Sequence, residues 1–259
     1  MSTPALPAPE TDESLGLDRE FAIKMARMPL FALLWVAAAA LSHQIWAALS
    51  LGELNAGPLI VLSFGMILAA FIDGWALKVP NWVTLPLILS GWMLGLLHDM
   101  GAHPDSGTGG IGNAILCTIV GFFLLFPMLA IRGVGEGDVK MQMGFGAWVG
   151  AYFGWGDTTT AVNLANLTGP EVTFWGFAYG AIVGGAFGLI IIFIRRQWNA
   201  NASMYREIGK DLTMFAAGET GEAAKRAEDR RKVWVKLPYG IPLCVGFLLF
   251  LGYKLILQG

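Results

Sequence analysis

Gly133-Val134-Gly135-Glu136-Gly137-Asp138-Val139-Lys140 joins two apolar runs, Ile111 to Ile131 and Val139 to Trp155. Runs of that kind need an apolar medium, whereas an acid and a lysine need water, so the stretch marks a membrane boundary. Its closely spaced glycines free the backbone at the junction. Taken alone, Asp138 fits a solvated acid in a glycine-rich turn as well as a site. A second acid changes the balance. Asp73, in Phe71-Ile72-Asp73-Gly74, ends an earlier apolar run and is followed by Lys78-Val79-Pro80-Asn81. Two carboxylates at the ends of spans that share one membrane face are the minimum equipment for aspartic-protease chemistry.

Composition sets the frame. The chain has 259 residues, of which 55% are hydrophobic and 14% charged, with a mean hydropathy of +0.59. That is too apolar for a soluble domain and long enough for several spans. The expected fold class is therefore all-α, a polytopic transmembrane helix bundle. The net charge of -2 gives no sign of nucleic-acid binding. Cys117 and Cys244 each lie inside an apolar run with no CxxC pair, which excludes a zinc knuckle or a disulfide framework.

In chain order, the Pro-, Ala- and acid-rich residues 1–28 are expected to form a disordered cytoplasmic N-terminus rather than a secretory signal, so insertion falls to the first span. Seven spans follow: Pro29 to Leu51, Pro58 to Ile72, Trp82 to Leu97, Ile111 to Ile131, Val139 to Trp155, Val172 to Ile194 and Tyr239 to Leu257. His43 and Gln44 read as a polar pair satisfied against another helix. Trp82 and Trp92 read as interfacial anchors. Asn81, after a proline that disfavours helix before it, is placed to cap the third span. The loop His98 to Gly110 holds His98, Asp99, His103 and Asp105 at spacings that match no metal template, and reads as a solvated glycine-rich loop. Gly144, Gly146 and Gly150 offer close helix packing, so the weakly apolar fifth span is expected to be surrounded by protein, and Gly180, Gly184 and Gly188 form a packing face on the sixth. Asn166-Leu167-Thr168 matches a glycosylation pattern by chance. Residues 195–236 form a long polar cytoplasmic loop, with Gly221 to Lys232 as a charge-alternating helix.

Lysine and arginine set the orientation. With the N-terminus inside, positions 19, 24, 27, 78, 132, 140 and those within 195–236 all fall inside, while loops 52–57, 98–110 and 156–171 hold none. Lys254 alone lies towards the outside, where it can snorkel. The expected topology is N-in and C-out, and it puts Asp73 and Asp138 on the cytoplasmic face.

These residues resemble a family. Gly135-Glu136-Gly137-Asp138-Val139-Lys140 is similar to the GxGD motif of the type IV prepilin peptidases, Asp73 with Pro80-Asn81 to their first aspartate and its Pro-Asn turn, and Lys236-Leu237-Pro238-Tyr239-Gly240 to their Pro-Tyr-Gly segment. The resemblance covers roughly residues 57–257, leaving 29–56 as an extra N-terminal span. The paired cysteines of bifunctional, methylating members do not occur, so the chain looks like the short, peptidase-only branch.

The resemblance implies a multi-pass protein of the bacterial cytoplasmic (inner) membrane, acting in type IV pilus assembly or protein secretion. It would remove the leader of a prepilin or pseudopilin substrate at the cytoplasmic membrane face. Asp73 and Asp138 would be catalytic, with Gly135, Gly137, Pro80, Asn81 and Lys140 in support. No cofactor or metal is implied. Membrane lipids are the other expected partner, and the oligomeric state is left open.

Close carboxylates do not both ionise, so one would be the base and the other the acid. Asp73 follows a helix C-terminus and Asp138 opens a helix N-terminus, which points to Asp73 as the acid and Asp138 as the base. Gly135 and Gly137 would let substrate backbone approach, Lys140 would snorkel to lipid phosphate, and spans five and six would wall the substrate's lateral route. The alternatives are a catalytically inactive scaffold of a pilus or secretion assembly, and an ion-coupled transporter. Against a transporter stand the placement of both acids at one face and the lack of an inverted repeat.

Overall fold

The computed structural model describes residues 19–51, 55–130, 133–155, 167–194, 207, 209–210, 213–214 and 239–258. Among them it is all-α, with seven helices: α1 Arg19–Ala48, α2 Gly57–Ala76, α3 Asn81–Asp99, α4 Ile111–Ala130, α5 Glu136–Phe153, α6 Gly169–Ile194 and α7 Gly240–Gln258. The expectations for the N-terminal tail, for Asn166, Arg132 and Lys236 to Pro238, and for nearly all of the 195–236 loop lie outside the described residues.

Among the described residues four helical stretches are long and apolar enough to cross a membrane: Ala26–Ala48, Gly57–Ala76, Ile111–Ala130 and Gly169–Ile190. Their outer faces carry large apolar side chains such as Leu34, Phe64, Phe71, Phe123 and Ile190, all exposed. Water would not tolerate so much unpartnered apolar surface, and lipid does. This is a membrane protein. The apolar part of α7, Gly240–Tyr253, is shorter than a span, and α5 opens with Glu136, Asp138, Lys140 and Gln142 on its first two turns.

The helix that opens with these polar residues sits at the centre. Every residue from Gly144 to Phe153 on α5 is buried, against α3 on one side and α4 on the other. Glycines make that possible. A Cβ on Gly150 would lie 2.5 Å from the Asn113 carbonyl oxygen of α4, and one on Gly91 of α3 would lie 2.7 Å from Ala147 of α5. Buried polar groups are paired across the same contacts. Trp148 Nε1 donates to the Leu87 carbonyl at 3.0 Å and to Ser90 Oγ at 2.8 Å, and Asn113 Nδ2 donates to the Gly150 carbonyl at 2.9 Å.

Several expectations change. Trp82 is exposed at the start of α3, but Trp92 is half-buried and its Nε1 donates to Thr118 Oγ1 of α4 at 3.0 Å, so it locks two helices rather than anchoring an interface. His43 Nδ1 meets Ser106 Oγ at 3.0 Å as a satisfied polar group, whereas Gln44 is exposed. Of the small-residue face on α6, Gly180 and Gly184 pack on Leu243 and Pro242 of α7, while a Cβ on Gly188 would meet nothing.

The loop after α3 is built rather than solvated. His98 and Asp105 are both buried. His98 Nδ1 lies 2.7 Å from the Gly109 carbonyl and Nε2 lies 2.6 Å from Asp105 Oδ1. Both neighbours are acceptors, so the ring donates from both nitrogens as an imidazolium. His98 follows the expected third span. Burial alone would lower its pKa, but the bond to Asp105, the charge of Asp105 and the backbone carbonyls of Gly109 and Ala151 together raise it. The far end of the bundle is thereby tied together, with Gly109 N–H donating to the Ala151 carbonyl at 2.9 Å and Tyr152 Oη donating to the Asn55 carbonyl at 2.7 Å.

Candidate active site

Asp73 lies in the last turn of α2 and is 4% exposed. The helix begins at Gly57-Pro58, where proline's fixed φ suits a first turn. It ends because Leu77 turns left-handed at φ 51°, its N–H closing on the Asp73 carbonyl at 2.8 Å. The chain then runs extended through Pro80, at φ -76° and ψ 145°, and enters α3 at Asn81. Asn81 is therefore the first helical residue rather than the cap, and Pro80 takes the cap position without a side-chain bond.

Asp138 is the third residue of α5 and is 6% exposed. Its Oδ2 accepts the Gly135 amide at 3.1 Å, which satisfies a donor that helix geometry would leave free. Its Oδ1 is buried with no hydrogen-bond partner. Gly137 packs closely on the turn that follows Asp73. A Cβ there would lie 2.9 Å from Val79 Cβ, 3.0 Å from Val79 N and 3.1 Å from Val79 O. The glycine lets the first turn of α5 rest on the Val79-Pro80 turn, and so brings the two aspartate-bearing segments together.

Lys140 also joins them. Its Nζ donates to Asn81 Oδ1 at 3.1 Å and stands 4.0 Å from Glu136 Oε2. The lysine expected to snorkel into lipid instead bridges the start of α5 to the start of α3. Gly240 was legible only as part of the Pro-Tyr-Gly resemblance. Its amide donates to Asp73 Oδ2 at 2.9 Å, and a Cβ on it would lie 2.9 Å from that oxygen. Nothing in the residue types alone joins positions 73 and 240.

Asp73 and Asp138 line one cavity of about 1030 Å³, and the charge of Asp73 bears on Asp138. The segments that carry the carboxylates supply mixed walls, with Lys78, Asn81, Glu136 and Lys140 beside Leu77, Val79, Val134 and Val139. Further along α3, α4 and α5 the walls are apolar only, with Leu85, Ile88, Phe122, Leu129 and Met143. From Asn81 to Ile88 is roughly 10 Å at the rise of an α-helix, so polar side chains leave the lining within about two turns. Gly150 and Gly184, expected beside a substrate route, are filled by Asn113 and Pro242 instead. Among the described residues no group of three or more His, Cys, Asp or Glu side chains could hold a metal ion.

A family model described as the type IV leader peptidase family matches residues 60–189. The chain is 31% identical over 112 residues to a prepilin leader peptidase/N-methyltransferase of Neisseria gonorrhoeae, covering 40% of this chain and 34% of that protein. It is 28% identical over 146 residues to one of Dickeya chrysanthemi, covering 51% and 50%. It is 30% identical over 156 residues to one of Pectobacterium carotovorum subsp. carotovorum, covering 52% and 51%. The chain thus spans a third to a half of the length of these curated relatives. No solved structure matches it.

Proposed function

The chain belongs to the type IV leader peptidase family, and on that premise we propose that it is a membrane aspartic endopeptidase with Asp73 and Asp138 as its catalytic pair. Its substrates are prepilin-like or pseudopilin chains, cut at the cytoplasmic face of the bacterial inner membrane. The proposal includes the topology read from the basic residues, seven spans with N-in and C-out, and a peptidase domain over 57–257 preceded by an added span. It concerns peptide hydrolysis, the chemistry that the two carboxylates can carry.

One observation carries the reading: two buried carboxylates, from helices far apart in sequence, line a single cavity whose polar wall residues all lie in the segments that carry them, with apolar walls beyond. A structural acid would be paired on both oxygens, and Asp138 Oδ1 is not. An ion site would gather more ligands than two acids and would lie near the midplane. The graded walls suit a chain whose leader is hydrophilic and whose mature end is an apolar segment. Hydrolysis then needs one carboxylate to take a proton from water and the other to give one to the scissile carbonyl.

The test is leader cleavage of a co-expressed prepilin by wild type, Asp73→Asn and Asp138→Asn, read as a mobility shift and by N-terminal mass. Loss of cleavage in both variants, with each still in the membrane, is the expected result. Undiminished cleavage in either would remove that residue from the mechanism. Failure of wild type on several prepilins would leave the inactive-scaffold reading in its place.

A further inference from the structure

The two carboxylates differ in how their oxygens are served. Asp73 Oδ2 accepts the Gly240 amide at 2.9 Å, and Gly240 opens α7. Asp138 Oδ2 accepts the Gly135 amide at 3.1 Å at the start of its own helix. Each carboxylate has one backbone hydrogen bond at a helix N-terminus, and the Gly240 amide also bears on Asp138, though its hydrogen bond goes to Asp73. The other oxygen of Asp138, Oδ1, sets the two acids apart. It is buried and has no donor. An ionised Asp138 would leave negative charge there uncompensated, whereas a protonated one puts a neutral hydroxyl there, ready to donate when an acceptor arrives.

Building on the peptidase reading, we propose that Gly240 is a positioning residue whose amide holds Asp73 as the ionised member of the pair. Asp73 is then the base and Asp138 the acid. Judged by the helix end behind it alone, Asp73 would take the opposite role. The helix start in front of it is 167 residues away.

The chemistry closes without any further reactant. Asp73 takes a proton from water as the water oxygen bonds to the scissile carbonyl carbon, and Asp138 gives its proton to the carbonyl oxygen. The resulting gem-diol collapses as the C–N bond breaks. Asp73 passes its proton to the departing amine, and Asp138 recovers one from a gem-diol hydroxyl. Both carboxyls end as they began.

Gly240 also has no spare room. A Cβ would lie 2.9 Å from Asp73 Oδ2 and 3.1 Å from Asp73 Cβ, so Gly240→Ala must displace the carboxyl it serves. A Cβ on Gly135 would lie 3.2 Å from Asp138 Oδ2, which makes Gly135→Ala the matching probe of the other acid.

Two measurements test the proposal, and the second needs no substrate. In the first, kcat and KM for leader cleavage are followed against pH in wild type, Gly240→Ala and Gly135→Ala. Gly240→Ala is expected to lower kcat about tenfold or more with KM little changed, and to move the acidic limb upward, because Asp73 loses the donor that favours its charge. Gly135→Ala is expected to move the basic limb instead. A Gly240→Ala profile that shifts only the basic limb, or falls in rate with neither limb moved, overturns the proposal.

In the second, wild-type protein in its membrane is treated with an epoxide, which an ionised carboxylate opens, or with a diazoacetyl ester, which a protonated carboxyl consumes, and the modified residue is located by mass spectrometry. The expected sites are Asp73 for the epoxide and Asp138 for the diazo ester. The reverse pattern, or equal labelling of both residues by each reagent, overturns the proposal even if Gly240→Ala fails to fold. Wild type that labels as expected yet cuts no prepilin would instead count against the substrate reading.

Discussion

Lys140 Nζ donates to Asn81 Oδ1 at 3.1 Å, across 59 residues of sequence, and so ties the first turn of α5 to the first turn of α3. The two motifs that hold the aspartates are thus fastened to each other at the mouth of the cavity. The bond is partly exposed, and its loss is worth about 0.5–1.5 kcal/mol. Lys140→Met and Asn81→Ala are each expected to cost roughly two- to tenfold in kcat/KM, by the same free-energy conversion. Measured together they should cost little more than either alone. Fully additive losses would show that the two side chains act separately.

Gly137→Ala is expected to be far more damaging than its size suggests. The new methyl meets the Val79 backbone at 3.0 and 3.1 Å, and backbone cannot swing aside as a side chain does. The first turn of α5 must lift, carrying Asp138 away from Asp73. Cleavage should fall by about a hundredfold or more, the scale of a misplacement near 1 Å. Membrane-inserted protein with wild-type cleavage would refute the close approach as a requirement.

At the far end of the bundle, His98 and Asp105 should make stability depend on pH without touching the chemistry. Because the folded-state pKa of His98 is raised, its contribution is complete below the unfolded value of about 6.5 and is lost as pH rises through the folded value. Thermal melts in detergent should show wild type losing stability over that window, by about 1–3 kcal/mol for a bond to a charged group. Asp105→Asn should be less stable at low pH and flat across the window. A wild-type melt independent of pH would exclude an ionic pair.

The graded cavity predicts where substrate lies. A photoreactive residue at Leu85, Phe122 or Met143 should crosslink an uncleaved prepilin held by Asp138→Asn, as these side chains line the apolar part. One at Gly150 should not, since that position is closed by Asn113. Crosslinking from Gly150 with none from Phe122 would move the route to the other side of α5.

What could be read from the chain alone divides along physical lines. Lipid-facing helices declare themselves by apolar length, and α1, α2, α4 and α6 were legible for that reason. So were Asp73 and Asp138, as acids where apolar runs stop. A helix enclosed by other helices can carry polar residues and glycines freely, and the glycines of α5 marked it as the span surrounded by protein, which its burial bears out. The contacts of Gly137, Trp92 and His98 were not legible because they reach residues 58, 26 and 7 positions away brought close by packing. Gly240 has the longest reach of all.

That reach sets an order of events. Asp73 is made and inserted with α2, but its Oδ2 waits for an amide encoded 167 residues later. At a synthesis rate of about 5–20 residues per second, the wait is roughly ten to thirty seconds. α7 also docks late, by fitting Gly246 against Gly180 of α6. A nascent chain that already holds both acids would still lack the proposed setting of the first. Proteolytic competence would arrive with the last helix, which protects a membrane crowded with apolar segments from a half-assembled protease.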